Sequence, residues 1–195
     1  MRIIVIGATG TIGRAVVDAL SPRHDVVAAS RSSNPSVDIA DAASIRALFA
    51  SVGHVDAVVC AAGAARFAPL AELTDDDFAF SIANKLMGQV NVIRQALAHV
   101  NDGGSITVTS GVLGQQPAPG SGAISLVNAA LEGFARAAAL EAPRGIRVNV
   151  VSPPWIAETL AKLGRPSDGA LTAAACAKSY VQSVEGSETG VVYRP

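Results

Sequence analysis

The sequence predicts an α/β fold in which about seven parallel strands form one sheet with helices on both faces. Short apolar runs alternate with longer helical stretches along the chain. A glycine-rich segment also separates the first apolar run from the first helical stretch. At 195 residues, half of them hydrophobic, the chain has the length and apolar content of a single domain, residues 1–195.

The strand candidates are short runs rich in β-branched and small apolar residues. In chain order they are Ile3 to Ile6, Val26 to Ala29, Val37 to Ile39, Ala57 to Ala61, Ser105 to Thr109, Arg147 to Val151 and Val191 to Tyr193.

Five helix candidates lie between these strands, with capping and charge signals at some of their starts. They are Thr11 to Leu20, Asp41 to Ser51, Asp75 to Val100, Ser121 to Glu141 and Thr172 to Val184. Thr74 supplies an N-cap, and the three aspartates after it complement the helix dipole. The alanine-rich helix from Ser121 allows two interpretations: a face between subunits of a homo-oligomer, or a helix packed on its own sheet.

Composition excludes several classes of function. The formal net charge is −1, with no block of like charges, so nothing favours binding to nucleic acid or to an anionic membrane. Cys60 and Cys176 are isolated, so neither a disulfide framework nor a metal site is indicated.

The N-terminal apolar run is too short for a signal peptide, and we expect no membrane-spanning segment. The expected location is cytoplasmic. We interpret Cys60 as a buried apolar residue and His24, His54 and His99 as surface residues.

The glycine-rich segment Gly7-Ala8-Thr9-Gly10-Thr11-Ile12-Gly13 directly follows the first strand and opens the first helix. In this context glycines permit a tight turn and a close approach of the backbone to a pyrophosphate, while the helix N-terminus offers free N–H groups. The segment predicts a Rossmann-type dinucleotide site. Its candidate binding residues are Gly7, Thr9, Gly10, Thr11, Ile12 and Gly13.

The end of the second strand bears on the choice of dinucleotide. A site for NAD(H) normally places an acidic residue there, on the ribose hydroxyls, whereas this chain has Ser30-Arg31-Ser32-Ser33. A planar guanidinium and a hydroxyl suit a 2′-phosphate, so Arg31 and Ser32 favour NADP(H) over NAD(H). The alternative is that Arg31 is an ordinary solvated arginine.

Several further blocks resemble the short-chain dehydrogenases/reductases over nearly the whole chain, apart from a shortened C-terminal region. They are Val37-Asp38-Ile39-Ala40-Asp41, Cys60-Ala61-Ala62-Gly63, Asn84, the run from Asn128 to Phe134 and the run from Gly145 to Pro153. The resemblance implies that Asp38 and Ile39 flank the adenine and that Ala61, Ala62 and Gly63 lie along the cofactor. It also implies that Pro153 begins the loop over the nicotinamide.

The same resemblance implies that the family's catalytic residues are replaced. In the family, a tyrosine gives a proton to the substrate oxygen, a lysine four residues later lowers the tyrosine's pKa, and a serine polarises the oxygen. Aligned on the block from Asn128, the tyrosine and lysine positions hold Ile124 and Asn128, and counting back from Gly114 puts Gly111 at the serine position. Isoleucine has no proton to give and asparagine carries no charge. We expect neither Tyr180 nor Tyr193 to substitute.

Three residues are weak candidates for a remaining catalytic role. Asn84 matches an asparagine that organises a water chain in the family, and Ser110 stands beside the lost serine. Lys85 follows Asn84 in a Lys-Leu-x-Gly-Gln segment that resembles a small subgroup of the family lacking the usual active-site residues. Lys85 either faces the cleft as a replacement cation or, by the more ordinary interpretation, points into solvent.

These features leave different functions open. One is an NADP(H)-dependent oxidoreductase for a small hydrophobic carbonyl or alcohol, whose pocket lies around Gly111, Ile124 and the Pro153–Ile156 loop. Another is a catalytically inactive protein that senses NADP(H). A third is a subunit retained for its packing surface, against which the intact glycine motif argues.

Overall fold

A computed structural model describes residues 1–195 and shows one parallel sheet of six strands in the order β2-β1-β3-β4-β5-β6. The strands are β1 (Arg2–Ile6), β2 (Asp25–Ala29), β3 (Val55–Cys60), β4 (Val100–Thr109), β5 (Arg147–Val151) and β6 (Val192–Tyr193). The chain runs outward from β1 to β2 and then crosses to β3 on the other side of β1. This reversal opens a crevice at the carboxyl ends of the strands, where open α/β sheets bind ligands.

Seven α-helices cover the two faces of the sheet. They are α1 (Thr11–Leu20), α2 (Ala42–Val52), α3 (Asp75–Ser81), α4 (Gly88–Ala96), α5 (Gly122–Glu141), α6 (Ala157–Lys162) and α7 (Ala173–Glu185). Short 3-10 turns lie at Leu70–Glu72 and Val112–Gly114, and a π-helical segment spans Ile82–Met87. The sequence had predicted neither the 3-10 turns nor α6.

Alternate side chains of the central strands enter two separate apolar clusters. Ile4 and Ile6 of β1 belong to the cluster under α2, α4 and α5, and Ile3 and Val5 belong to the cluster under α1 and α7. All four are fully buried. Burial on both faces explains why these strands read as continuous apolar runs rather than alternating ones.

The predicted strand from Val37 to Ile39 was wrong. The only sheet-like pairing in this region is an isolated bridge between Ser30 and Ser36. Val37 and Ile39 are nevertheless buried in the larger apolar cluster. The apolar pattern therefore reported burial correctly, but a loop that packs against the core satisfies that pattern without joining the sheet.

The single predicted helix from Asp75 to Val100 was also wrong in its continuity and its end. The predicted N-cap is present, because the Thr74 side chain accepts from the Asp77 backbone and the Asp77 side chain accepts from the Thr74 backbone. The helix then widens into the π-helical segment, continues as α4 and ends at Ala96. Apolar periodicity cannot distinguish a single wider turn from an α-helix, since the local side-chain pattern stays helical.

The alanine-rich helix α5 packs on its own sheet, with Leu131 and Ala135 in the larger cluster. Contrary to the expectation from the sequence, α5 is long and apolar enough to cross a membrane, although core helices of soluble proteins also meet this criterion. Its role in a homo-oligomer stays a prediction.

The histidine prediction holds fully only for His54, which is exposed. The Nε2 atom of His24 lies 2.8 Å from a carboxylate oxygen of Glu185. The ring of His99 stacks on Phe49 with 5.1 Å between centroids, and burial lowers the pKa of His99.

Candidate active site

A cleft of about 450 Å³ opens at the carboxyl ends of β1, β2 and β3; we call it the large cleft. Most of the residues predicted to bind the cofactor share its lining. These are Gly7, Thr9, Gly10, Arg31, Ser32, Asp38, Ile39, Ala61, Ala62 and Gly63, and Asn84 lies with them. The structure thus brings together segments that are far apart in the sequence.

The glycine-rich loop is closely packed and leaves the start of α1 open. A Cβ atom on Gly7, whose φ is +86°, would lie 2.8 Å from the Ala61 backbone, and one on Gly13 would lie 2.0 Å from the Gly7 carbonyl oxygen. Gly10 caps α1 without a side-chain hydrogen bond, and the first turn holds no acidic residue. The amide end of α1 therefore remains available to an anion.

The Arg31 guanidinium is the free cation at the edge of the large cleft. Arg31 is exposed, and its side chain has no ion pair or hydrogen bond. The loop around it is held by serine hydroxyls: the Ser33 hydroxyl accepts from the Ser30 backbone at 2.6 Å and donates to the Pro35 carbonyl at 2.9 Å. An ordered loop thus presents an arginine whose charge is not neutralised within the chain.

Asp38 and Ile39 form the neighbouring wall of the large cleft. The Asp38 carboxylate accepts from the Ala40 backbone N–H at 3.0 Å, and the backbone N–H of Asp38 donates to the Ser44 hydroxyl at 2.9 Å. The side chain of Ile39 is buried and packs against Gly88. A Cβ atom added to Gly88 would lie 3.0 Å from the Ile39 side chain. Local hydrogen bonds and close packing therefore hold this wall in place.

A second cavity of about 230 Å³ lies at the ends of β4 and β5; we call it the small cavity. It contains the positions where the resemblance had indicated lost catalytic groups, together with a loop that follows β5. Its lining includes Ile12, Lys85, Ser110, Gly111, Ile124, Asn128, Pro153, Trp155 and Ile156. Ile12 and Pro153, predicted as cofactor residues, thus line this cavity, whereas Thr11 and Gly13 line neither space.

Neither tyrosine reaches the small cavity. Tyr180 is fully buried, its hydroxyl lies 2.7 Å from the Thr109 hydroxyl, and burial raises its pKa. Tyr193 donates to Glu188 at 3.1 Å, and burial raises its pKa to about 12. Both phenols are held by structural contacts and stay protonated.

Two of the three catalytic candidates, Ser110 and Asn84, have other partners. The Ser110 hydroxyl donates to the Glu132 carboxylate at 2.9 Å, and its backbone N–H donates to the Val151 carbonyl at 3.0 Å, so neither donor of Ser110 is free to serve the cavity. The Asn84 side-chain oxygen accepts from the Ala64 backbone at 2.7 Å and holds the loop after β3.

Lys85 is the residue whose placement differs most from the ordinary interpretation. It lies in the π-helical segment, is partly buried and lines the small cavity. Its Nζ atom donates to the Ser110 carbonyl at 3.2 Å. Burial lowers its pKa to about 8. Lys85 is therefore not a solvated helix lysine.

The sequence reasoning missed two buried polar residues that hold this region together. Gln89 is fully buried, and its amide nitrogen donates to the Thr109 carbonyl at 2.8 Å and to the Lys85 carbonyl at 3.3 Å. The Glu132 carboxylate, also buried, accepts from Ser110, from Gln115 at 2.7 Å and from Arg194 at 3.2 Å. For Glu132, the sequence did offer a signal: it follows Asn128 at helical spacing, which places both side chains on one face of the helix.

Comparisons with known proteins agree with this architecture. A family model described as enoyl-(acyl carrier protein) reductase matches residues 10–191. The oxidoreductase UcpA of Escherichia coli is 33% identical over 143 residues, which are 67% of this chain and 54% of UcpA. The chain therefore spans about half the length of this relative.

Solved structures are similar over the whole chain. The protein lin1944 from Listeria innocua is 40% identical with a TM-score of 0.95, covering 100% of this chain and 98% of its own. A small-chain dehydrogenase in complex with NADPH is 26% identical with a TM-score of 0.89, covering 100% and 96%. The matched residues, the sheet order and the glycine-rich loop together show that the chain belongs to the short-chain dehydrogenase/reductase family, whose cofactors are nicotinamide dinucleotides.

Proposed function

We propose that this protein binds NADP(H) in preference to NAD(H) and acts as an oxidoreductase on a small, apolar carbonyl or alcohol. The observation that carries the cofactor preference is the Arg31 guanidinium, which lines the large cleft without an acidic partner. A 2′-phosphate would neutralise this cation, because a guanidinium pairs well with a phosphate dianion. The NADPH complex of a structurally similar dehydrogenase supports this assignment.

The large cleft fits a dinucleotide in several independent features. A Cβ atom on Gly7 or Gly13 would collide with backbone atoms of Ala61 or of Gly7, so the loop packs closely against β3 and α1, as the glycine-rich turn of a dinucleotide site does. The uncapped N-terminus of α1, with Thr11 and Ile12 in its first turn, would hold the pyrophosphate charge. Asp38 and Ile39 would flank the adenine, and Ala61, Ala62 and Gly63 would lie along the cofactor toward Pro153.

The small cavity would hold the substrate. A volume of about 230 Å³ and walls that include Leu113, Ile124, Trp155 and Ile156 suit a small apolar molecule. When bound, the reduced nicotinamide would supply a hydride to the carbonyl carbon. The chain would exclude water with the apolar wall and hold the substrate oxygen near the end of β4.

The cofactor assignment is tested by titrating NADPH and NADH separately and following nicotinamide fluorescence. We expect tighter binding of NADPH by the native protein and loss of that preference in Arg31→Ala. Arg46→Ala is the matched control, because Arg46 is exposed and absent from the lining of the large cleft. Equal binding of the two dinucleotides by the native protein would contradict the role of Arg31.

A second candidate function is sensing of NADP(H) without turnover. The observation that favours it is the apolar or uncharged character of Gly111, Ile124 and Asn128 where the family has its catalytic groups. Such a protein must bind the cofactor with different affinities in two states, since equal affinity shifts no equilibrium. Light scattering with and without NADPH tests this function, and an unchanged association state together with carbonyl turnover would exclude it.

A further inference from the structure

The side chain of Lys85 packs against Gly63, a residue of the large cleft, and lines the small cavity. A Cβ on Gly63 would lie 3.0 Å from the Cγ atom of Lys85 and 3.2 Å from its Cα atom, and Gly63 has a φ of +143°. Gly63 lines the large cleft and Lys85 lines the small cavity. The absence of a side chain at position 63 thus creates the path that the lysine stem follows.

The ammonium group at the end of this path has unused hydrogen-bonding capacity. Of its three N–H donors, one is used by the Ser110 carbonyl, and no carboxylate pairs with it. The Glu132 carboxylate is occupied by Ser110, Gln115 and Arg194. The remaining titratable neighbour is the Cys60 thiol, whose pKa burial raises to about 12, so it is neutral and leaves the ammonium unpaired.

Asn128 supplies a second, independent sign that the small cavity is built for a polar atom. Asn128 is 1% exposed, its Oδ1 atom is buried without a hydrogen-bond partner, and its Nδ2 donor makes no hydrogen bond within the chain. Its Nδ2 atom lies against Gly111, since a Cβ there would come within 3.0 Å of it. Gly111 follows Ser110, so the Lys85 ammonium and the Asn128 amide flank the same stretch of backbone.

We propose that Lys85 gives the proton to the substrate oxygen during carbonyl reduction and that the Asn128 amide donates a hydrogen bond to that oxygen. This assignment rests on the proposed oxidoreductase function. As the C–H bond forms at the carbonyl carbon, the C=O π electrons move to oxygen. An N–H bond of Lys85 breaks and an O–H bond forms. The product is an alcohol, the dinucleotide is left oxidised, and the neutral amine recovers a proton from water.

The competing explanation is that Lys85 only ties the π-helical segment to the end of β4 through Ser110. A lysine with that role alone would affect unfolding, but it would not touch a ligand in the small cavity. The tests therefore need a measurement that reports contact between Lys85 and a bound molecule.

The first test compares Lys85→Met and Lys85→Arg with Lys178→Met, an exposed lysine on α7. We expect all three to bind NADPH as the native protein does. Because a positioned general acid contributes roughly 10²- to 10⁴-fold, carbonyl reduction should fall by about 10²-fold or more in both Lys85 variants. Arginine keeps the charge but does not release a proton. Folded Lys85 variants with native kcat would overturn the assignment.

The second test does not depend on turnover. The chain has three lysines, Lys85, Lys162 and Lys178, so lysine labelled with ¹³C at Cε gives resonances that single substitutions can assign. Isobutyramide, an amide that resembles a small carbonyl compound but is not reduced, is added to protein saturated with NADPH. We expect the Lys85 resonance to shift and the Lys178 resonance to stay. A Lys85 resonance that does not move would overturn the assignment, even if the protein reduces carbonyl compounds.

Asn128→Leu tests the second donor. Loss of one hydrogen bond to the substrate oxygen should lower kcat/KM by about tenfold and weaken the isobutyramide-induced shift of Lys85, while NADPH affinity is retained. An unchanged kcat/KM would remove Asn128 from the site.

Failure of the proposed function gives a different result from failure of the Lys85 assignment. If the native protein binds no NADPH and reduces no carbonyl compound, the function itself is wrong and the donor role of Lys85 is wrong with it. If the native protein reduces carbonyl compounds while Lys85→Met does so equally well, only the Lys85 assignment is wrong.

Discussion

The side chain of Gln89 pairs with the backbone of Thr109 as a neighbouring strand would. Its Oε1 atom accepts from the Thr109 N–H at 2.7 Å, and its Nε2 atom donates to the Thr109 carbonyl at 2.8 Å. The same Nε2 atom donates to the Lys85 carbonyl. One buried amide therefore joins the end of β4 to the π-helical segment that carries Lys85.

Replacing Gln89 with methionine should destabilise the fold. The substitution preserves the approximate volume but leaves the buried N–H and carbonyl of Thr109 unpaired, at about 1–3 kcal/mol for each unsatisfied group. Urea unfolding measures the loss. Gln182→Met, at an exposed position of α7, is the control and should change the free energy of unfolding by less than about 0.5 kcal/mol. Equal stabilities of the two variants would contradict this account of Gln89.

Gly13→Ala should damage both the fold and dinucleotide binding. A Cβ at this position would lie 2.0 Å from the Gly7 carbonyl oxygen and 2.6 Å from its carbonyl carbon, so α1 must move away from the loop. Gly133→Ala is the matched control, because it lies in α5 with nothing within 4 Å of the added atom. This control should stabilise the protein by about 0.5–1 kcal/mol. Thermal unfolding and NADPH titration measure the two effects, and native affinity in Gly13→Ala would contradict the proposed pyrophosphate site.

Carbonyl reduction should depend on pH through Lys85. Burial lowers the pKa of Lys85 to about 8, and only the protonated amine can give a proton. The value of kcat/KM for reduction should therefore be level below that pKa and fall above it, whereas alcohol oxidation, which needs the neutral amine, should rise over the same range. The inflection should be absent in Lys85→Arg. A profile that the arginine variant reproduces would assign the inflection to another group.

Restoring the family's usual residues tests whether the rest of the small cavity is competent. Gly111→Ser, Ile124→Tyr and Asn128→Lys should be combined, because a Cβ at position 111 would already lie 3.0 Å from the Asn128 amide. We expect NADPH-dependent carbonyl reduction to increase in the triple variant, measured by loss of NADPH absorbance. A triple variant that binds NADPH but reduces no carbonyl compound would show that the cavity has lost more than these three groups.

The sequence by itself determined the parallel α/β architecture and the region of the dinucleotide site. Both follow from local signals. Continuous apolar runs indicate strands that are buried on two faces, and the glycines of the segment from Gly7 to Gly13 indicate a tight turn. The chain order then brings the ends of β1, β2 and β3 to one crevice. The large cleft was accessible to sequence reasoning for this reason.

Only the tertiary structure decided where Lys85, Ser110 and Asn128 lie. Asn84 lines the large cleft and its neighbour Lys85 lines the small cavity, and both lie where the α-helix changes to a π-helix. A regular helical pattern does not reveal that change. Likewise, Val37 and Ile39 read as a strand because burial selects the same residues in a packed loop. Apolar patterns record which side chains are buried, whereas the partners of a polar side chain depend on residues that are distant in the sequence.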